Sequence, residues 1–152
     1  MDKVEVGLVG AGAIASTVHL PVLKNISDVH IAWIADLNGL LVRDLGRAFG
    51  VSSQVISDEP PAFPQCDIVL LATPVYARQP YVEYFSTRSR AILAEKPFAL
   101  SEVEHRRYLE ACSKIQVSCG YMRRTNATVR ALFFETCITG KRTAVRNSRR
   151  LL

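Results

Sequence analysis

Gly10, Gly12 and Ala15 form the pattern GxGxxA, and an acid, Asp36, follows about twenty residues later. Each residue type has a physical use at that spacing. A first glycine permits a tight turn, a second leaves room for a pyrophosphate against the backbone, and a small third residue lets a helix pack closely on the preceding strand. Ala13 and Ile14 carry the loop into that helix, whose first N–H groups would face the phosphates. A carboxylate at Asp36 could accept bonds from both hydroxyls of an adenosine ribose. The plainer reading is a glycine turn in some other α/β protein, and the flanking patterns weigh against it.

Further along, chemistry-bearing residues recur just after apolar runs. Thr73-Pro74 ends DIVLLA, Glu95-Lys96-Pro97 ends AILA, and Gly120-Tyr121 ends QVSC. In open α/β sheets ligands lie across the carboxyl ends of strands, so these turns are the candidate site. An ammonium at Lys96 could hydrogen-bond a substrate oxygen and stabilise alkoxide character during hydride transfer, and Pro97 restricts its backbone to an extended conformation. The competing reading of Lys96 is a surface salt bridge. Glu95 is open to three: pairing with Lys96, contact with a nicotinamide ribose, or a simple turn carboxylate. Tyr121 could donate to substrate or cover the sheet end, and Arg124, with Arg123, could bind an anionic substrate or remain solvated. Tyr76 and Arg78 either flank the cofactor or form a plain loop. His19, His30 and His105 have no partner at catalytic spacing and are read as structural.

Strand and helix patterns alternate along the chain, which predicts a doubly wound, mostly parallel sheet of about six strands with helices on both faces. Val4 to Val9 is the first strand. Ile14 to about Lys24 is the first helix, bent or interrupted at Pro21. His30 to Ala35 is a strand, Leu40 to Phe49 a helix closed by Gly50, and Gln54 to Ile56 a short strand. Pro60, Pro61 and Pro64 make a rigid connection. Asp67 to Ala72 reads as a strand buried on both faces, Gln79 to Ser86 as a helix, and Ala91 to Ala94 as another buried strand. Ser101 caps a helix running to about Ser113, with Glu104 in the capping-box position. Gln116 to Cys119 is the sixth strand and Asn126 to Ile138 a final helix. Residues 1–140 thus read as one dinucleotide-binding domain, and 141–152 as a basic tail.

The chain has 152 residues, nearly half of them hydrophobic at 49%, and a net charge of +5. After Glu135 it holds Lys141, Arg142, Arg146, Arg149 and Arg150 and no acid, so the excess charge lies in the tail. Without interleaved aromatics or a basic stripe in the body, that tail is read as a solvated terminus rather than a nucleic-acid-binding arm. No apolar run approaches the roughly eighteen residues of a membrane helix, and Met1-Asp2-Lys3 leads straight into a strand, so the expected location is cytoplasmic. Cys66, Cys112, Cys119 and Cys137 lack metal-ligand spacing and are expected to be buried and reduced; no metal site is expected.

With GLVGAGAIA, Ala35-Asp36, CDIVLLATP, AILAEKPFALS and CGYMRR, the chain resembles the N-terminal half of the Gfo/Idh/MocA oxidoreductases, from Val6 to about Gly140. The resemblance implies a catalytic or substrate-orienting role for Lys96. It also implies a nicotinamide cofactor bound by Gly10, Gly12, Ala13, Ile14, Asp36, Thr73, Pro74, Glu95 and Lys96, with Tyr121 and Arg124 toward substrate. Asp36 followed by Leu37 favours NAD over NADP, because a 2′-phosphate would meet the carboxylate's charge. The implied activity is hydride transfer between the cofactor and a sugar, polyol or related hydroxyl or carbonyl compound. The alternative is a cofactor-binding or protein-interaction module without turnover, since the family's second α/β domain has no counterpart here. The chain also departs from the family where Asn and then His often follow Thr-Pro: it carries Val75 and Arg78. Loss of the second domain further predicts self-association as a homo-oligomer or an exposed apolar surface, with Leu132, Phe133, Phe134 and Ile138 as its leading residues.

Overall fold

The computed structural model describes residues 3–57 and 62–119. Its centre is a six-stranded sheet in the order β3-β2-β1-β4-β5-β6, with every adjacent pair parallel. The strands are β1 (Val4–Val9), β2 (Val29–Asp36), β3 (Ser52–Val55), β4 (Ile68–Leu71), β5 (Ala91–Ala94) and β6 (Gln116–Cys119). The chain winds outward from β1 to one edge, returns, and winds to the other. The order therefore reverses between β1 and β4, the switch point where such sheets open a crevice.

Among the described residues, four α-helices cover the two faces. Leu20 and Leu23 of α1 (Leu20–Lys24) and Val42 of α2 (Gly39–Phe49) pack with Val6, Leu8, Ile31, Ile34, Ile68 and Leu70. On the other face Val82 and Phe85 of α3 (Gln79–Phe85) and Tyr108 of α4 (Glu102–Ala111) pack with Val9, Trp33, Val69, Leu71 and Ile92. β4 is buried along its whole length, as its continuous apolar run requires. Trp33 stacks with both Phe63 and Phe85, ring centroids 5.3 and 6.0 Å away, and its indole N–H donates to the Pro64 carbonyl at 3.1 Å.

Three local features differ from the expected elements. The first helix carries a π turn over Ala15–His19, in which the Leu20 N–H donates to the Ala15 carbonyl, and runs on into α1 with Pro21 at the start of that segment. β3 lies two residues earlier than expected at its start. It is an edge strand with three polar residues before Val55, and its register comes from pairing Trp33 to Asp36 with Ser52 to Val55. A short 3₁₀ turn, Val75–Ala77, separates β4 from α3. Cys66 and Cys112 are buried free thiols, and burial pushes both up, Cys112 to about 11. Among the described residues there is no cluster of metal-ligating side chains and no helix long and apolar enough to cross a membrane. The final helix Asn126 to Ile138, Cys137 and the basic tail lie outside the described residues.

Candidate active site at the carboxyl ends of the strands

Backbone bonds hold the ends of the central strands level. Gly10 N–H donates to the Ala35 carbonyl at 2.8 Å, Ala72 N–H to Val9 at 2.8 Å, and Glu95 N–H to Leu71 at 3.0 Å. The turn after β1, the acid after β2, Thr73-Pro74 after β4 and Glu95-Lys96-Pro97 after β5 consequently share one edge. Gly10 adopts a positive φ of 100°, and a Cβ there would lie 2.8 Å from the Ala72 carbonyl carbon and oxygen. Only glycine satisfies both demands. A Cβ at Gly12 would meet nothing within 4 Å, so the loop is open on that side, and Gly12, Ala13 and Ile14 are exposed there.

Asp36 is fixed by the loop it faces. One carboxylate oxygen accepts from the Ala11 N–H at 2.6 Å and the other from the Asn38 N–H at 2.7 Å. The second bond turns the chain toward α2, where the Asn38 side chain accepts from the Leu41 N–H at 3.1 Å as the helix cap. The edge thus joins an open glycine loop, a helix start and a part-buried carboxylate. That donor and acceptor set fits a dinucleotide.

Beside it stands the turn that carries Lys96. Lys96 and Pro97 are exposed and joined by a cis peptide bond; Glu95 is half-buried and Thr73 buried. Two buried side chains support this turn. His19, 1% exposed, bonds through Nε2 to Glu95 Oε1 at 2.8 Å. Its Nδ1 is buried without a hydrogen-bond partner, and burial lowers the imidazole pKa despite the opposing pull of Glu95. The ring therefore donates from Nε2 as neutral imidazole. Arg78, also 1% exposed, donates from Nη1 to the carbonyls of Glu95 at 2.5 Å, Pro97, and Phe98 at 3.5 Å, and from Nη2 to the Thr73 carbonyl at 2.6 Å.

His19 has no partner at catalytic spacing in the sequence; in the fold it is a structural residue bonded to Glu95. The π turn aims His19 inward, and its partner is 76 residues away, a relation no local spacing encodes. Arg78 belongs to no plain loop either: it is a buried tie between two strand ends. The other histidines stay structural, His30 in an exposed pair with Glu5 at 2.8 Å and His105 edge-on to Phe98. Gly10, Gly12, Ala13, Ile14, Asp36, Thr73, Pro74, Glu95 and Lys96 all lie at this one edge. Tyr121 and Arg124 lie outside the described residues.

Residues 4–122 match the family model GFO_IDH_MocA, described as "Oxidoreductase family, NAD-binding Rossmann fold". The chain belongs to this family. Inositol 2-dehydrogenase of Rhizobium meliloti (strain 1021) is a relative 29% identical over 123 residues, an alignment covering 80% of this chain and 37% of that enzyme. Among solved structures, GenD2 from gentamicin A biosynthesis, in complex with NAD, is 27% identical with a TM-score of 0.70, covering 79% of this chain and 35% of GenD2. KijD10, a 3-ketoreductase from Actinomadura kijaniata in complex with NADP and TDP-benzene, shares the fold at 17% identity and a TM-score of 0.69, covering 88% of this chain and 43% of KijD10. The chain therefore spans well under half the length of these relatives, and of the two structures GenD2 holds NAD and KijD10 NADP.

Proposed function

We propose that this chain binds NAD(H) as the cofactor-carrying part of an oxidoreductase acting on a sugar, polyol or related hydroxyl or carbonyl compound. The observation that carries the reading is Asp36, held by the Ala11 N–H at the end of β2 beside the open glycine loop. Gly10, Gly12, Ala13 and Ile14 would line the pyrophosphate and Asp36 the adenosine ribose; Thr73, Pro74 and Glu95 would flank the nicotinamide side. The bound nicotinamide supplies or accepts hydride. Lys96 would direct its ammonium at the substrate oxygen, hold it in place and stabilise the negative charge that develops there. Tyr121 and Arg124 are proposed for substrate contact on the strength of the resemblance alone. The relative named inositol 2-dehydrogenase favours a polyol as substrate.

Titration of the full chain with NADH and NADPH tests the cofactor, and equal or tighter NADPH binding would reject the NAD assignment. Hydrogen bonds to a charged group contribute about 1.5–3 kcal/mol, so Asp36→Ala should weaken NADH binding roughly 10- to 100-fold. An unchanged affinity would remove Asp36 from the ribose site. A second reading is a cofactor-binding module without turnover. Turnover of a polyol panel, lost in Lys96→Met, supports the enzyme; NADH binding with no turnover supports the module.

A further inference from the structure

We propose that Arg78 is the positioning residue that sets the direction of Lys96, tying the β4 and β5 strand ends into one rigid support. The inference rests on the reading of Lys96 as the substrate-facing group, but the geometry stands apart from it. The carbonyls that Arg78 engages at positions 95 and 97 lie on either side of Lys96, so a single guanidinium nitrogen grips the backbone before and after that residue. Its other terminal nitrogen grips Thr73, at the end of the neighbouring strand. Arg78 starts α3, whose Tyr81 and Val82 N–H groups donate to its own carbonyl, so the grip is anchored in a helix packed on the sheet. A planar fork with several fixed N–H directions reaches carbonyls on two separate turns at once; an ammonium is a compact point charge, and an imidazole has two ring nitrogens. The number and spread of its acceptors suit arginine, and the exposed Lys96 side chain then leaves a turn whose backbone is held on both sides.

The test uses the full chain with lysines labelled by reductive ¹³C-methylation, the Lys96 resonance being assigned by its loss in Lys96→Arg. Arg78→Met should move and broaden that resonance, Arg78→Lys should move it by a smaller amount, and Arg88→Met, which removes an exposed arginine at the opposite end of the sheet, should leave it in place. In turnover with the polyol substrate, Arg78→Lys should lower kcat about 100-fold, the cost expected when a reacting group is misplaced by roughly 1 Å, with a smaller change in KM. A cooperatively folded Arg78→Met or Arg78→Lys chain whose Lys96 resonance matches the parent overturns the proposal. Should Arg78→Met fail to fold, Arg78→Lys decides alone by the same criterion. Failure of the functional reading looks different: the parent chain binds no NADH, while the Lys96 resonance still responds to Arg78.

Discussion

Gly7 shows how a single residue position can be settled by what faces it. It sits in the middle of β1, and a Cβ built on it would lie 2.1 Å from the Trp33 ring. Trp33 cannot step aside, because Phe63 and Phe85 stack on it and its N–H is committed to Pro64. Gly7→Ala should therefore destabilise the fold by about 1–3 kcal/mol, the usual cost of overpacking a core. Urea unfolding followed by Trp33 emission checks this, and a midpoint within error of the parent would contradict it. The same contrast between local and distant partners explains which site residues the sequence exposes. Gly10, Gly12 and Asp36 act through a turn and the next strand end, so their spacing betrays them. Lys96 is marked by the buried strand before it and the proline after it. His19 and Arg78 are defined by partners far along the chain, and a histidine or arginine between apolar residues carries no local sign of which carbonyl or carboxylate it will meet.

At the scale of elements, α4 tests how literally a capping pattern can be read. Ser101 Oγ accepts from the Glu104 N–H at 3.1 Å, as the Ser-x-x-Glu pattern requires. Glu104 reaches back one residue further than the motif specifies, accepting from the Leu100 N–H at 2.6 Å, and also takes the Tyr108 hydroxyl at 2.8 Å. The Leu100 bond holds the Glu104 carboxyl below the usual carboxylate range; burial and the acid beside it push the Tyr108 hydroxyl up to about 12. Ser101→Ala should cost about 1 kcal/mol, and Ser101→Asp should recover most of it, read from thermal melts. Equal melting temperatures for parent and Ser101→Ala would show that the cap contributes nothing. Caps and buried strands were legible because they are written in consecutive residues. The π turn was not: one extra residue in a helical turn changes which side chains face inward without changing the apolar composition. The edge strand β3 was legible only approximately, because strand pairing with β2 and not an apolar run defines it.

For the molecule as a whole, alternation of strand and helix patterns made the winding of the sheet legible, because each crossover must return to a parallel neighbour and few arrangements permit it. The expected self-association is tested by sedimentation of the chain at several concentrations, and a compact monomer at all of them would rule it out. Global stability should also register the buried histidine. His19 donates to Glu95 from Nε2, and a second proton would have to go on Nδ1, which is buried and without a hydrogen-bond partner. Burial accordingly lowers its pKa below the ordinary 6.5. Above about pH 6.5 the imidazole is neutral in both folded and unfolded chains and exerts no pH-dependent effect. As pH falls below that value the unfolded chain takes up the proton first, so stability declines by up to about 1.4 kcal/mol per pH unit until pH passes the lowered folded pKa. His19→Gln keeps a donor for Glu95 but does not titrate, so its stability should decline less than the parent's between about pH 6.5 and 5. Denaturant midpoints across that range decide the matter, and parallel curves for the two chains would mean that His19 titrates normally in the folded protein.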